Sequence, residues 1–259
     1  EYPRMEANRG GAQLTATEFH EAFAANLSAS KIEQRPFVTL TYAQSLDGCI
    51  SKERGKPLLL SGKESMVMTH RLRAIHKGIL VGIGTVIADN PSLTTRLVEG
   101  DSPRPIIMDT SLRTPLTSKL MNRKTNKPII VTTKAKKDSE TEQRREALKK
   151  AGATILECDA SSNGRVDVDS MLKCLQPHVS SIMVEGGASI IESFLRTTED
   201  AKTCRVDQLI VTIAPTIVGN GLSPYQNLPF ASSSGGCPRM KNVKYATVGI
   251  DVMVLGQLH

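Results

Sequence analysis

The chain has 259 residues, of which 39% are hydrophobic and 23% are charged, so it is long enough for one large globular domain or two small ones. It contains no apolar run near the roughly 20 residues that span a bilayer, and no apolar signal core near its N-terminus, so we expect a cytoplasmic protein without a membrane partner. The net charge of +7 fits an anionic partner, but an aromatic content of 3% without tryptophan argues against nucleic acid, and we expect phosphates on small molecules instead.

The cysteines and histidines show no metal-binding pattern. The five cysteines form no C-x-x-C pair, and the five histidines form no H-E-x-x-H pattern. Structural and catalytic zinc sites usually draw on such closely spaced ligands. The sequence therefore predicts reduced thiols and no metal site, with His70 and His76 on a helix surface.

Residues 1–35 are predicted to form a helical appendage. Thr17 is a candidate N-cap for a short helix in which Phe19 and Phe23 share one apolar stripe. The remaining residues, 36–259, contain no internal repeat and no interior linker. We therefore expect them to form a single domain.

The first part of that domain is predicted to be a strand followed by a helix. The apolar run at 37–42 indicates the strand. A capping box at 61–64, Ser-Gly-Lys-Glu, indicates a helix that runs to about Lys77. Gly78 then fits the position after the helix, where glycine commonly ends it.

The rest of the chain alternates between apolar runs and helical segments. Predicted strands cover 79–81, 105–108, 128–132, 154–157, 181–184 and 205–213, and predicted helices cover 139–150, 168–176 and 188–195. Strands that alternate with helices predict a mostly parallel central sheet with helices on both faces. Two final apolar runs, at 243–248 and 252–255, are predicted to be antiparallel C-terminal strands.

The segment after the predicted strand at 79–81 has the composition of a ligand cleft. The strand ends at Gly82 and Gly84 and is followed by Thr85 and Asp89. Small and charged residues at the carboxyl end of a buried strand are where α/β proteins bind ligands. Thr85 and Asp89 are therefore candidate binding residues, although both also fit an ordinary helix cap or turn.

A second candidate site follows the predicted strand at 181–184. The sequence Gly-Gly-Ala-Ser at 186–189 would let the backbone approach a pyrophosphate and would direct the first N–H groups of the next helix at it. A tight turn without a ligand is the alternative interpretation of the glycines alone. Glu185, at the strand end, is placed to accept hydrogen bonds from a ligand. Arg73 and Arg96 are candidate phosphate ligands, because a guanidinium forms paired hydrogen bonds with phosphate.

Several motifs, in the same order, resemble the reductases of riboflavin biosynthesis, including the reductase half of bacterial RibD. They are Thr-Leu-Thr-Tyr-Ala-Gln-Ser-Leu-Asp-Gly at 39–48, Gly-Ile-Gly-Thr at 82–85, Asp-Asn-Pro at 89–91, Pro-Arg-Pro-Ile-Ile-Met-Asp at 103–109 and Val-Glu-Gly-Gly-Ala at 184–188. The resemblance spans about residues 36–221. It implies an α/β, dihydrofolate-reductase-like fold for a reductase domain at 36–259, NADPH as the cofactor and a homodimer.

The resemblance also implies roles for individual residues. It implies NADPH contacts for Ala43, Thr85, Asp89, Gly186, Gly187, Ala188 and Ser189, and substrate contacts for Ser45, Arg73, Leu93, Arg96 and Glu185. Glu185 and Asp47 are the candidate catalytic side chains. Glu185 would fix polar groups near the reacting sugar, and Asp47, at the end of the first strand, would order sugar hydroxyls or a water molecule.

The implied reaction is transfer of a hydride from NADPH to C1′ of the ribosylamino group of a phosphorylated pyrimidine. Lys134, Lys136 and Lys137 follow a strand end and are candidates for binding the 2′-phosphate of NADPH. The alternative is a pterin reductase of the dihydrofolate reductase type, which would need a carboxylate on the first long helix of the domain. The sequence of that helix offers Glu64 alone, at its start.

Overall fold

A ten-stranded sheet runs through the part of the chain that the structure describes. The structure is a computed structural model that describes residues 12–30, 32–56, 58–134, 139–196, 205–226, 228 and 239–258. Its strands are β1 (Ala12–Leu14), β2 (Phe37–Ser45), β3 (Gly78–Gly82), β4 (Arg104–Met108), β5 (Ile129–Thr133), β6 (Thr154–Cys158), β7 (Ser181–Glu185), β8 (Gln208–Ala214), β9 (Met240–Val248) and β10 (Asp251–Leu258). Its helices are α1 (Ala16–Ser28), α2 (Lys63–Ile75), α3 (Ile83–Asp89), α4 (Ser139–Lys150), α5 (Val168–Leu175) and α6 (Ala188–Leu195).

The strands lie in the order β1-β9-β10-β8-β2-β7-β3-β4-β5-β6. β10 is antiparallel to its neighbours β8 and β9, and every other pairing among these strands is parallel. The expected mostly parallel sheet with antiparallel C-terminal strands is confirmed. β2, the first strand after α1, lies at the centre of the sheet between β7 and β8.

Helices cover both faces of the sheet, as expected. On one face α5 and α6 pack against the central strands through side chains that include Leu172, Ile191 and Phe194. On the other face α1 and α2 pack against β7 to β10, and α3 and α4 pack against β3 to β5. Strands buried on both faces carry apolar side chains at consecutive positions. This explains why the central strands form continuous apolar runs in the sequence.

The cap of α1 differs from the prediction. Thr15, and not Thr17, is the N-cap. Its hydroxyl accepts a hydrogen bond from the N–H of Glu18 at 3.3 Å, and the carboxylate of Glu18 accepts the N–H of Thr15 at 2.8 Å. The two residues form a reciprocal capping box. Thr17 lies inside the helix, where its side chain is exposed.

The N-terminal elements pack onto the rest of the molecule. β1 pairs with β9 in parallel, and Phe19 and Phe23 of α1 are buried together with side chains of β9 and β10. The division of the chain between residues 35 and 36 stays a prediction. Residues 1–11 of the predicted appendage lie outside the described part of the chain.

The start of α2 also differs from the prediction. Its N-cap is Gly62, and no side chain caps the helix. The N–H of Gly62 instead donates to Oδ2 of Asp251 at 2.8 Å, so the carboxylate of the first residue of β10 lies at this helix terminus. The predicted capping role of Ser61 is wrong, because the helix begins one residue later than a Ser61 cap requires.

The predicted end of α2, at about Lys77, lies two residues beyond the observed end of the helix. The helix ends at Ile75, and Gly78 is the first residue of β3. A Cβ atom on Gly78 would lie 2.8 Å from Cδ1 of Ile106 on the neighbouring strand β4. Close packing inside the sheet, and not a helix terminus, therefore accounts for this glycine.

The described residues include neither a helix that could span a membrane nor a cluster of metal-binding side chains. None of the described helices combines the length with the apolar character that a bilayer crossing demands. Nor do these residues gather three or more histidine, cysteine, aspartate or glutamate side chains at a point where a metal ion could bind.

Candidate active site

A cleft opens at the carboxyl ends of the central parallel strands. Its volume is 840 Å³, and residues at the ends of β2, β3, β4 and β7 line it. Its walls come from the segment after β2, from α2 and α3, from the turn after β4 and from the start of α6. Parallel strands end at the same edge of a sheet, so residues far apart in the chain meet there.

The turn between β7 and α6 lies at this cleft. Gly187 is the N-cap of α6 and no side chain caps the helix, so its first N–H groups are available to a ligand. A Cβ atom on Gly187 would meet no atom within 4 Å, whereas a Cβ atom on Gly186 would lie 2.4 Å from Cβ of Ile190. Helix packing therefore accounts for Gly186, and Gly187 is the glycine that leaves space at the cleft.

Arg73 and Glu185 form a doubly hydrogen-bonded ion pair in the cleft. Nε of Arg73 donates to Oε1 of Glu185 at 2.7 Å, and Nη2 donates to Oε2 at 2.6 Å. A third hydrogen bond runs from Nη1 to the carbonyl oxygen of Thr94 at 3.3 Å. The side chains are 11% and 20% exposed, respectively. The pair is thus fixed in orientation, and the guanidinium is already engaged by Glu185 rather than free for a phosphate.

Two neutral histidines lie near this pair. His76 Nδ1 donates to the carbonyl oxygen of Leu72 at 2.6 Å, and because a carbonyl only accepts, Nε2 accepts from the hydroxyl of Thr39 at 2.8 Å. Burial lowers the pKa of His76 to about 4. Burial and two neighbouring arginine charges lower the pKa of His70 to about 4. Both imidazoles are buried, so their predicted place on a helix surface is wrong.

The structure brings together most of the residues that the sequence singled out. Those that line the cleft are Ala43, Arg73, Thr85, Asp89, Glu185, Gly186, Gly187, Ala188 and Ser189. They come from the end of β2, from α2 and α3 and from the β7–α6 turn. The segments 82–89 and 185–189 therefore border a single cavity.

Ser45 and Asp47 lie outside the cleft lining. The hydroxyl of Ser45 donates to the carboxylate of Asp47, which also accepts the N–H groups of Val218 at 3.1 Å and Gly219 at 2.7 Å. These hydrogen bonds, that from Ser45 first, lower the pKa of Asp47 to about 2. Asp47 thus joins the turn after β2 to the segment after β8. These contacts give Asp47 a structural role that requires no ligand. Its catalytic role stays a prediction.

Leu93 and Arg96 also lie outside the cleft lining. Leu93 has a left-handed backbone with φ of 50°, and its side chain is buried with Ile83 and Val86. Arg96 is exposed in the turn that follows. The segment nevertheless contacts the site through its backbone, because the carbonyl oxygen of Thr94 accepts a hydrogen bond from the cleft residue Arg73. The substrate contacts of both residues stay predictions.

Four cationic residues at the cleft were missed by the sequence reasoning. They are Arg54, Lys56, Arg113 and Arg165. Nη1 of Arg54 donates to Oγ of Ser189 at 2.9 Å, which places a guanidinium beside the start of α6. All four lie in connections between elements, where basic residues are usually solvated, so no local pattern distinguished them.

Of the lysines predicted to bind a 2′-phosphate, Lys134 does not lie at the cleft. Nζ of Lys134 forms an ion pair with Asp159 at 2.7 Å and does not belong to the cleft lining. Lys136 and Lys137 lie outside the described residues.

The combination of features at the sheet edge defines a class of protein. A cleft at the ends of parallel strands, an uncapped helix N-terminus, a basic lining and a fixed carboxylate–guanidinium pair are typical of α/β enzymes that act on anionic ligands. The chain belongs to the family of the RibD C-terminal domain, whose model matches residues 36–254. The resemblance drawn from the sequence motifs is confirmed.

Known proteins with the same architecture support this membership. The chain is 36% identical over 203 residues to 2,5-diamino-6-ribosylamino-4(3H)-pyrimidinone 5′-phosphate reductase of Candida glabrata, which covers 72% of this chain and 77% of that protein. It is 34% identical over 225 residues to the protein of that name from Saccharomyces cerevisiae, covering 82% and 86%. The solved structure of the Saccharomyces riboflavin biosynthesis reductase Rib7 superposes with a TM-score of 0.70 at 32% identity, covering 93% of this chain and 98% of that one. The expected fold class is confirmed.

Proposed function

We propose that the chain is an NADPH-dependent reductase of riboflavin biosynthesis. Its substrate is 2,5-diamino-6-ribosylamino-4(3H)-pyrimidinone 5′-phosphate, and its product carries a ribitylamino group. Family membership and the names of the relatives support the choice of substrate. The observation that carries the proposal is that the β7–α6 turn and the Arg73–Glu185 pair border one cavity.

The cleft has the room and the chemistry for a nicotinamide dinucleotide. Its 840 Å³ lies in the upper part of the roughly 300–1,000 Å³ range of small-molecule sites. The first N–H groups of α6, the open space at Gly187 and the guanidinium of Arg54 suit a pyrophosphate. When bound, the cofactor supplies the hydride, and the protein supplies placement and electrostatics.

The substrate side is assigned to Glu185 and Arg73. Arg73 holds the carboxylate of Glu185 in one orientation, so Glu185 meets substrate donors, such as amino or hydroxyl groups, without reorganisation. The proposal does not depend on Ser45, Asp47, Leu93 or Arg96.

The chemistry is a two-electron reduction of a carbon–nitrogen double bond. Opening of the ribose ring gives an imine at C1′ of the substrate. A hydride adds to C1′, and the nitrogen takes a proton, for which solvent is a sufficient source. Glu185 and its neighbours keep C1′ within reach of the hydride and limit the number of orientations the sugar can adopt.

The test is anaerobic oxidation of NADPH in the presence of the ribosylamino-pyrimidine phosphate, followed at the nicotinamide absorbance band. We expect consumption of NADPH and formation of the ribitylamino product. Absence of turnover with this substrate would overturn the proposal. A parallel assay with dihydrofolate addresses the pterin alternative, for which the geometry offers no support, because Glu64 does not line the cleft.

We further propose that the enzyme is a homodimer, as the family resemblance implies, and that it is cytoplasmic, as its scattered cysteines without a C-x-x-C pair favour. Sedimentation equilibrium is expected to give twice the mass of the chain, which is 28.1 kDa. A monomer at working concentration would contradict this part of the proposal.

A further inference from the structure

Two of the arginines at the cleft, Arg113 and Arg165, make no side-chain hydrogen bond or ion pair with any residue that the structure describes. The other cleft arginines differ, since Arg73 is bound to Glu185 and Arg54 to Ser189. Guanidinium groups that line a cavity without a protein partner are available to an anionic ligand.

Arg113 is carried by a rigid turn after β4. Oδ2 of the buried Asp109 accepts both the N–H and the hydroxyl of Thr114 at 2.7 Å. Nε of Arg144 donates to the carbonyl oxygen of Leu112 at 2.7 Å. The backbone that presents Arg113 is therefore fixed before any ligand binds, which reduces the entropy cost of binding.

Arg165 is carried by a second ordered connection, between β6 and α5. Its carbonyl oxygen accepts the N–H of Ser161 at 2.8 Å, and its own N–H donates to the side chain of Asn163 at 3.0 Å. Ala160 and Val166 form an isolated β-bridge across the same loop. Arg165 thus belongs to a closed turn in which its own backbone N–H and carbonyl oxygen are both hydrogen-bonded.

Both arginines line the cavity from connections that follow strands on the β4–β6 side of the sheet. Arg113 follows β4, and Arg165 follows β6, on the side of the sheet away from β2. β4 is three strands from β2, a span of roughly 14 Å at about 4.8 Å per strand spacing. A dinucleotide with its pyrophosphate at the α6 turn and its nicotinamide near Ala43 of β2 would place its adenosine on the β4 side.

We propose that Arg113 and Arg165, with the hydroxyl of the cleft-lining Ser111, bind the 2′-phosphate of the adenosine and select NADPH over NADH. This inference rests on the proposed function. A phosphate monoester carries close to two negative charges at neutral pH, and guanidinium groups bind it through paired, charge-assisted hydrogen bonds. NADH has a hydroxyl at this position and leaves both arginines without a partner.

The test uses adenosine 2′,5′-bisphosphate and adenosine 5′-monophosphate as probes, measured by calorimetry without substrate. These compounds differ only in the 2′-phosphate. We expect the wild-type chain to bind the bisphosphate about 10- to 100-fold more tightly, and the Arg113→Ala and Arg165→Ala variants each to reduce that ratio several-fold. The double variant should bind the two probes equally, with its affinity for the monophosphate unchanged.

The controls separate this inference from the proposed function. Lys134→Ala should retain the wild-type ratio, because Lys134 is paired with Asp159. A double arginine variant with the wild-type ratio, or loss of selectivity in Lys134→Ala, would overturn the inference even if the enzyme reduces its pyrimidine substrate with NADPH. A wild-type chain that selects the bisphosphate but shows no reductase activity would contradict the proposed function alone.

Discussion

At the scale of single residues, adjacent glycines in the β7–α6 turn have different physical causes. We predict that Gly186→Ala destabilises the fold by about 1–3 kcal/mol, because its Cβ would overlap that of Ile190. Gly187→Ala should change the free energy of unfolding by less than about 1 kcal/mol, since its Cβ meets no atom within 4 Å. Urea unfolding of both variants checks this difference.

The same two variants separate stability from ligand binding. If Gly187 leaves room for a pyrophosphate, Gly187→Ala should weaken NADPH binding while its urea midpoint stays near that of the wild type. Equal destabilisation by the two substitutions would show that the turn does not pack as described.

The ion pair between Arg73 and Glu185 leads to a second prediction. Glu185→Gln keeps the shape of the side chain but removes its charge, and Arg73→Lys keeps the charge but removes the planar pair of donors. Each should lower kcat/KM by about 10- to 100-fold, because that factor corresponds to the free energy of one hydrogen bond to a charged group. Because the residues act as a unit, the double variant should be little worse than either single variant.

Steady-state kinetics of the single and double variants provide the measurement. Arg71→Ala is the matched control, since Arg71 is exposed on the same helix and does not line the cleft. Its kcat/KM should remain within about twofold of the wild type. Strictly additive losses from the two site substitutions would contradict the action of the pair as a unit.

The site residues that could be predicted from the sequence lie mostly at or soon after a strand end, whereas the basic residues in the connections were missed. Glu185 and Thr85 follow buried apolar runs, so their place at the sheet edge could be predicted from the local pattern. Arg113 and Arg165 lie in connections, and only the folded chain places them at the same cavity. The side chain of Leu93 is buried in the core with Ile83 and Val86, which the local pattern did not indicate, and its substrate contact stays a prediction.

At the scale of elements, the cap of α1 provides a third prediction. Thr15→Ala removes the acceptor for the N–H of Glu18 and should lower the free energy of unfolding by about 1 kcal/mol. Thr17→Ala should change it by less than about 0.5 kcal/mol, because Thr17 is exposed inside the helix. Thermal unfolding of the two variants measures the difference, and the reverse order would restore Thr17 as the cap.

The strands were easier to predict than the ends of the helices. Strands β4, β5 and β7 are largely buried apolar runs, and the predicted bounds of these strands and of β6 lie within one residue of those observed. Gly78 misled the prediction because a glycine that permits close strand packing looks the same, in sequence, as one that ends a helix. β1 was missed because its three residues are too few for a periodic pattern.

At the scale of the whole molecule, the cleft depends on the order of the strands. β2 pairs with β7, so Thr41 lies opposite Glu185 although the two are far apart in sequence. Such pairing is specified by the packing of the complete sheet and not by any local motif. The existence of a site could therefore be predicted from the sequence, whereas its full set of lining residues could not.

The pH dependence of stability is the fourth prediction and concerns the molecule as a whole. The pKa of His76 is lowered from 6.5 to about 4 by burial, so between these pH values the unfolded chain binds a proton that the folded chain does not. Acidification through this window therefore favours unfolding, and His76 alone should remove about 3 kcal/mol by pH 4. His70, whose pKa is also lowered to about 4, acts in the same direction.

Urea unfolding between pH 7 and pH 4 measures this slope in the wild type and in two histidine variants. His76→Asn should be less stable at pH 7, because the hydrogen bonds to Leu72 and Thr39 are disturbed, but its stability should fall less steeply on acidification. His178→Asn, at an exposed position, should keep the wild-type slope. Asp47, with its pKa near 2, loses its contribution only below about pH 4, outside this window. An unchanged slope in His76→Asn would show that this imidazole is not held neutral in the folded chain.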